Sequence, residues 1–165
     1  MEPESSRRVF DGKLIQVDVE QWPGREREVV KHPGACAVVA VTPEGDVLLV
    51  RQFRESVRQE LLEIPAGVLE VGESGEECAA RELLEETGYR ATKLESLGTI
   101  VTSPGFTNER IELFRADAEP AGHPTEEDVH PVTMRISRAL ETIAGGEITD
   151  AKTFLGLLLT SARSP

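Results

Sequence analysis

The chain has 165 residues, 39% apolar and 29% charged, with a formal net charge of −12; this suits one globular domain with a full core. Such acidity argues against nonspecific binding to nucleic acid or to an anionic membrane. It would also repel a phosphate-bearing substrate unless bound metal and local arginines reverse the sign at the site.

The N-terminus MEPESSRRVF has no apolar run fit for a signal peptide, and no segment is long enough to span a bilayer. Cys36 and Cys78 read as buried free thiols of a reducing cytosol, so a cytoplasmic protein is expected. Residues 1–8 are polar and expected to fray. Residues 13–22 alternate apolar and polar, Pro23-Gly24 signals a turn, and the alternation resumes over 27–31, so 13–31 reads as a hairpin. A buried strand is expected at 35–41, a returning strand at 46–54 after the turn Pro43-Glu44-Gly45, and a short strand at 60–64. A helix follows, opened by a capping box of Ser74 and Glu77 and closed by Gly88. Cys78, Leu83 and Leu84 would supply its apolar contacts, with Ala79 and Ala80 permitting close packing. Strand patterns return at 94–102, 110–116 and 132–136. Ser137 is expected to cap a helix running to about Ala144, and Asp150 one over 151–162 with Phe154, Leu155, Leu158 and Leu159 as its apolar stripe. Many strands with a few interposed helices indicate an α/β (α+β) domain.

In the first helix Glu82 and Glu86 lie one turn apart, and Glu85 sits beside them. Three like charges on one stripe repel each other, and a protein tolerates this when a cation sits between them. All-oxygen ligands suit a hard divalent ion such as Mg²⁺ or Mn²⁺. A solvated acidic helix face is the ordinary reading of such a run, but here the constraint extends beyond the helix. The pattern is Gly67, five residues, Glu73, seven residues, Arg81-Glu82-Leu83, one residue, Glu85-Glu86, one residue, then Gly88-Tyr89.

This resembles the Nudix box, G-x5-E-x7-R-E-U-x-E-E-x-G-U, where U is a bulky apolar residue. All the fixed letters are present, Leu83 holds the first U, and Tyr89 stands where an aliphatic residue is more usual. The resemblance implies an α/β/α sandwich with a mixed β-sheet over 35–165. It implies a preceding N-terminal hairpin over 1–34 that exchanges strands in a homodimer and forms the adenine side of the site. The activity implied is hydrolysis of a pyrophosphate bond using two or three Mg²⁺ or Mn²⁺ ions. Glu82, Glu85, Glu86 and the Ala66 carbonyl would be the metal ligands, and Arg81 would hold Glu73 or a ligand carboxylate by paired hydrogen bonds.

Beyond the box, Ser103-Pro104-Gly105-Phe106-Thr107-Asn108-Glu109 resembles the SPG-x-[ST]-[DN]-E loop of the ADP-ribose pyrophosphatase branch. That branch cleaves ADP-ribose to AMP and ribose 5-phosphate, and the resemblance puts Ser103 and Glu109 at the terminal ribose. REVVKHPGACAVVAV (27–41) is similar to the same branch. It implies that Arg27 and Glu28 bind the adenine end, with Arg25 as the alternative to Arg27. Arg54 resembles the arginine that contacts the diphosphate, with Arg51 next to be tested, and Glu70 would line the site. In this branch a loop glutamate before the last strand is the general base. Within 123–132 Glu127 aligns best, Glu126 second and Asp128 third, though His130-Pro131 departs from the branch pattern. Trp22 reads as packing beside a turn. The alternatives are a pyrophosphatase for another nucleoside diphosphate sugar or a dinucleotide, and a non-catalytic nucleotide-sensing module.

Overall fold

The computed structural model describes residues 1–163. Two sheets organise it. β1 (Ser5–Asp11), β2 (Gln16–Trp22) and β3 (Arg25–Lys31) form an antiparallel sheet in that order. The Pro23-Gly24 turn joins the last two, with Gly24 in the left-handed region at φ 75°. The expected fraying at the N-terminus is corrected: Ser5–Asp11 pairs with β2 along its length, and Arg8 donates to Asp18 at 2.7 Å. A short polar strand with every residue exposed carries no apolar alternation to announce it.

The second sheet contains β4 (Ala35–Val41), β5 (Asp46–Arg54), β6 (Gln59–Glu63), β7 (Ala66–Val68), β8 (Tyr89–Val101), β9 (Arg110–Pro120) and β10 (Val129–Arg135). Its main order is β10-β5-β4-β9-β8, with β6 pairing β5 and β7 pairing β4. β4 runs parallel to β9, and the other pairs are antiparallel. β4 is apolar throughout because both of its faces are covered. Ala35, Ala37 and Val39 pack with Leu49, Leu113 and Leu157; Cys36, Val38 and Ala40 pack with Leu48, Cys78 and Leu83. Alternate residues of one strand therefore serve two cores. α1 (Gly75–Thr87) covers one face, while α2 (Ile136–Ala144) and α3 (Ala151–Arg163) cover the other, which gives the expected α/β/α sandwich with a mixed sheet. Among the described residues no helix is long and apolar enough to cross a membrane.

α1 begins with the expected box. Ser74 Oγ accepts from Glu77 N at 3.3 Å, and the Glu77 carboxylate accepts from Ser74 N at 2.9 Å. Such a cap stabilises a helix by about 1 kcal/mol.

Four local expectations are corrected. Leu84 is outward-facing, and Cys78, Ala79 and Leu83 make the apolar contact. Cys36 and Cys78 are not free thiols but a disulfide, because β4 and α1 bring their Cα atoms to 6.1 Å, within bridging reach. A sequence separation of 42 conceals that proximity. α2 starts after Arg135 with no side-chain cap, so Ser137 lies inside the helix. On α3 the fully buried stripe is Thr153, Gly156, Leu157 and Thr160; of the expected residues Leu155 and Leu159 pack at its edge against the core, while Phe154 and Leu158 face outward. Gly156 lets the helix press close to the sheet, since a Cβ there would lie 2.9 Å from Val39 Cγ2. Asp150 does cap α3, accepting from Thr153 N at 2.9 Å.

Candidate active site

The buried stripe of α1 contains Glu82 and Glu86, 6% and 3% exposed, among Cys78, Ala79 and Leu83. Placing carboxylates there runs against packing and needs partners. β7 passes over them. Glu86 Oε2 accepts from Ala66 N at 3.1 Å. A Cβ on Gly67 would fall 1.7 Å from Glu82 Oε1, so a larger residue there would have to push that carboxylate aside. Arg81 is the hub of the site. Its Nε and Nη2 donate to the two Glu73 oxygens at 2.8 and 2.9 Å, and its Nη1 donates to Glu82 at 2.6 Å and Glu85 at 3.1 Å. Nη2 also reaches the Val68 carbonyl at 3.3 Å. The expected paired grip on Glu73 and the hold on a helix carboxylate are thus both present.

The acidic loop before β10 closes the cluster. Thr125 N donates to the Glu85 carbonyl at 2.8 Å, and Ala121 N and Gly122 N donate to the Gly88 carbonyl at 2.8 and 2.9 Å. These acceptors are among the carbonyls that a helix end leaves unsatisfied, so the loop is fastened to α1. The carboxylate oxygens of Glu82, Glu85 and Glu126 then lie within 4.8 Å of one another. Glu126, the second-ranked candidate, is the residue brought into this group. Glu127 and Asp128 are exposed in the turn that enters β10 and stand outside it.

The electrostatics mark an anionic centre short of positive charge. Burial pushes the Glu86 carboxyl up to about 8, with the charges of Glu82 and Glu126 adding to the shift and the Ala66 N–H and Arg54 opposing it. Burial likewise raises Glu82, although Arg81 opposes it. Glu73, by contrast, is pressed down to about 2 by Arg81 and the Glu70 N–H. An all-oxygen donor set with converging carboxylates fits a hard divalent cation.

A consequence follows for the chelated protein. Folded Glu86 keeps its proton up to about pH 8, whereas in the unfolded chain it ionises near 4.3. The fold binds the extra proton between these values, so its stability declines as pH rises through that window. The melting temperature in EDTA is expected to fall between about pH 6 and about pH 9, and added Mg²⁺ should reverse the fall at the upper end.

Arg54 occupies Glu63 with Nε and Nη2 at 2.8 and 2.7 Å. Lys152 donates to the same carboxylate. Neither Glu63 nor Lys152 was singled out by the sequence reading. The available signal was a glutamate inside the buried strand end LLEI, which demands a partner.

The loop between β8 and β9 is stitched to β3. Val30 N donates to the Phe106 carbonyl at 2.7 Å, Asn108 N to the Val30 carbonyl at 3.2 Å, and His32 N to Asn108 Oδ1 at 2.7 Å. Glu109 accepts from Thr102 Oγ1 at 2.7 Å and faces His32 Nε2 at 3.7 Å. The Ser103 carbonyl accepts from Phe106 N and Thr107 N, both at 3.1 Å.

Between this loop and the N-terminal sheet lies a cavity of ≈ 260 Å³ lined by Trp22, Arg25, Arg27, Val29 and Phe106. Arg25 and Arg27 lie on the same face of β3 and both line it; Glu28 is on the opposite face and opens on a neighbouring hollow. Trp22, read from sequence as packing, is part of this wall. Its Nε1 donates to Glu20 at 3.1 Å, and Lys31 holds the other Glu20 oxygen at 2.7 Å. Glu70 lines a separate cavity of ≈ 770 Å³ with Lys31 and His32.

The sequence matches the NUDIX domain over residues 30–153. It is similar to the ADP-ribose pyrophosphatase of Bacillus subtilis (strain 168), 42% identical over 159 residues that cover 90% of this chain and 86% of that protein. It is also similar to the methanol dehydrogenase activator of Bacillus methanolicus, 38% identical over 162 residues, covering 92% and 88%. Among solved structures the fold resembles one described as an ADP compounds hydrolase, with a TM-score of 0.82 over 98% of this chain and 94% of that one, at 20% identity.

Proposed function

The chain belongs to the Nudix family, and from that premise we propose that it hydrolyses the pyrophosphate bond of ADP-ribose to AMP and ribose 5-phosphate. The observation that carries the reading is the convergence of Glu82, Glu85 and Glu126 beside buried Glu86 at the end of α1. Glu82, Glu85, Glu86 and the Ala66 carbonyl would hold the cations, taken as two or three Mg²⁺ or Mn²⁺ ions. When bound, they neutralise diphosphate oxygens and lower the pKa of a water. The remaining roles fall to the protein. Glu126 takes the proton of the attacking water, whose oxygen forms the new bond to phosphorus while the bridging oxygen departs with the other phosphate. Arg54 grips the diphosphate. Arg81 and Glu73 fix the helix carboxylates. Trp22 and Arg27 receive the flat base, and Ser103 and Glu109 face the terminal ribose.

The substrate assignment is supported by two features on one wall. The aromatic and guanidinium groups around Trp22 suit a purine, and the 103–109 loop is tied by hydrogen bonds to the strand that carries Arg27. The test is release of the corresponding nucleoside monophosphate in Mg²⁺ from ADP-ribose (AMP), GDP-mannose (GMP), a diadenosine polyphosphate and an oxidised nucleotide. The expected kcat/KM for ADP-ribose exceeds the others by about a hundredfold. Equal rates across the panel would overturn the specificity, and tight binding without turnover would indicate a sensing module.

Residues 1–34 act in this reading as a dimerisation element ahead of the catalytic unit 35–165. β1 is a fully exposed edge strand carrying outward Val9 and Phe10, a surface suited to pairing with a second copy. Gel filtration should show a dimer for the whole chain and a monomer once residues 1–31 are removed. A cytoplasmic location is proposed on the nucleotide-sugar substrate alone, since the Cys36–Cys78 disulfide leaves no free thiols to indicate a reducing compartment, and a chain of net charge −12 is not expected to take nucleic acid or membrane as partner.

A further inference from the structure

We propose that Lys152 is a positioning residue for the diphosphate grip, acting through Glu63 to keep the positive charge of Arg54 available to substrate. The inference rests on the reading above that Arg54 engages the diphosphate. Four groups of alternating sign run from the start of α3 to the end of β5: Asp150, Lys152, Glu63 and Arg54. Glu63 is 1% exposed and shares one oxygen, Oε2, between Lys152 Nζ and Arg54 Nη2. Lys152 Nζ also lies 3.0 Å from Asp150 Oδ1. The far end of the chain is rigid. Asp150 Oδ2 accepts from Thr153 N at 2.9 Å and Thr153 Oγ1 at 2.6 Å, and Thr153 Oγ1 accepts from Ile64 N at 2.8 Å, beside Glu63. At the near end Arg54 spends Nε and Nη2 on Glu63; among the described residues its Nη1 has no hydrogen-bond partner. The charge of Arg54 acts on Glu86, one of the proposed metal ligands.

The arithmetic of charge gives Lys152 its role. Arg54 with Glu63 alone is a neutral pair, and such a pair attracts a diphosphate poorly. Lys152 brings the Arg54–Glu63–Lys152 group to a net +1; Asp150 is paired with Lys152, and its charge, also felt at Arg54, offsets part of that excess. Burial pushes the Glu63 carboxyl up, but Arg54 and Lys152 outweigh that and hold it below the ordinary carboxylate range, so it remains an anion. Without Lys152 the carboxylate would hold Arg54 undiluted. Substrate binding would weaken in ground and transition states alike, which raises KM and spares kcat.

The experiment is a double-mutant cycle of Lys152→Met and Arg54→Gln, with Lys152→Arg as the conservative variant. It is read as KM and kcat on ADP-ribose and, separately, as calorimetric affinity for ADP in Mg²⁺. Lys152→Met is expected to raise KM and weaken ADP binding about tenfold, with kcat within about threefold. Lys152→Arg should recover most of this, and Lys152→Met should add little in the Arg54→Gln background. If Lys152→Met does not fold, Lys152→Gln, which keeps a donor but no charge, replaces it with the same expectation. A folded variant with unchanged KM and ADP affinity, or full additivity with Arg54→Gln, overturns the proposal. If the wild type does not cleave ADP-ribose, the function reading falls, and the ADP-affinity cycle still decides the role of Lys152.

Discussion

Glu82→Gln and Glu86→Gln are each expected to lower kcat by roughly two to four orders of magnitude at saturating Mg²⁺, the equivalent of about 3–5 kcal/mol of lost charge stabilisation. The fold should survive, because both replacements keep shape and acceptor. A glutamine oxygen at 86 can still accept from Ala66 N, and one at 82 can still accept from Arg81. What disappears is ligand charge. The stability data should show the converse. Glu86 in the metal-free wild type ionises only at about 8, so above that value the fold carries a buried anion that the unfolded chain hydrates freely. Glu86→Gln removes this cost. In EDTA the variant should melt higher than wild type already at about pH 6, and by a wider margin at about pH 9. Near-wild-type turnover with either variant would show that these carboxylates hold no catalytic ion. Lost turnover together with a melting curve that still falls with pH would place the buried proton on another group.

The box was legible because its parts are local. Ser74, Glu77, Arg81, Glu82, Glu86 and Gly88 are set by helical spacing and capping rules that act within a few residues, and the structure places each as read. Residues whose role depends on distant chain were harder to see. Glu63 and Lys152 meet across 89 positions, and Trp22 joins Phe106 only because β3 and the 103–109 loop exchange hydrogen bonds. The same reason hid the Cys36–Cys78 bridge. α3 shows a different failure. Its apolar residues are more numerous than its buried ones, and the face pressed on the sheet combines Leu157 with small Gly156 and buried threonines, while Phe154 and Leu158 turn outward. Periodicity finds a stripe, but it cannot choose between stripes when close approach is what the packing needs.

Glu126→Gln is expected to lower kcat by about two to four orders of magnitude, while Glu127→Gln and Asp128→Asn stay within about threefold of wild type. Sequence alignment favours Glu127, so the structure and the branch pattern make opposite predictions. The structural argument is one of tethering. Thr125 is pinned to the Glu85 carbonyl, and Ala121 and Gly122 are pinned to the Gly88 carbonyl, so the loop register over α1 is fixed on both sides of His123. The next residue after the pin, Glu126, meets Glu82 and Glu85, and the chain then turns outward at Glu127 and Asp128 into β10. Making Glu127 the base would require the loop to slide by a residue, which would break the Thr125 bond and carry the turn over the cluster. Mg²⁺ affinity separates two ways of losing activity. If Glu126→Gln binds Mg²⁺ as tightly as wild type and its residual rate climbs with pH as hydroxide replaces the missing base, Glu126 moves the proton. If affinity collapses and excess Mg²⁺ restores turnover, Glu126 is a ligand instead, and the base lies elsewhere in the cluster. A large loss confined to Glu127→Gln would mean that the loop shifts when substrate binds, and that the Thr125 tether belongs to the resting enzyme alone.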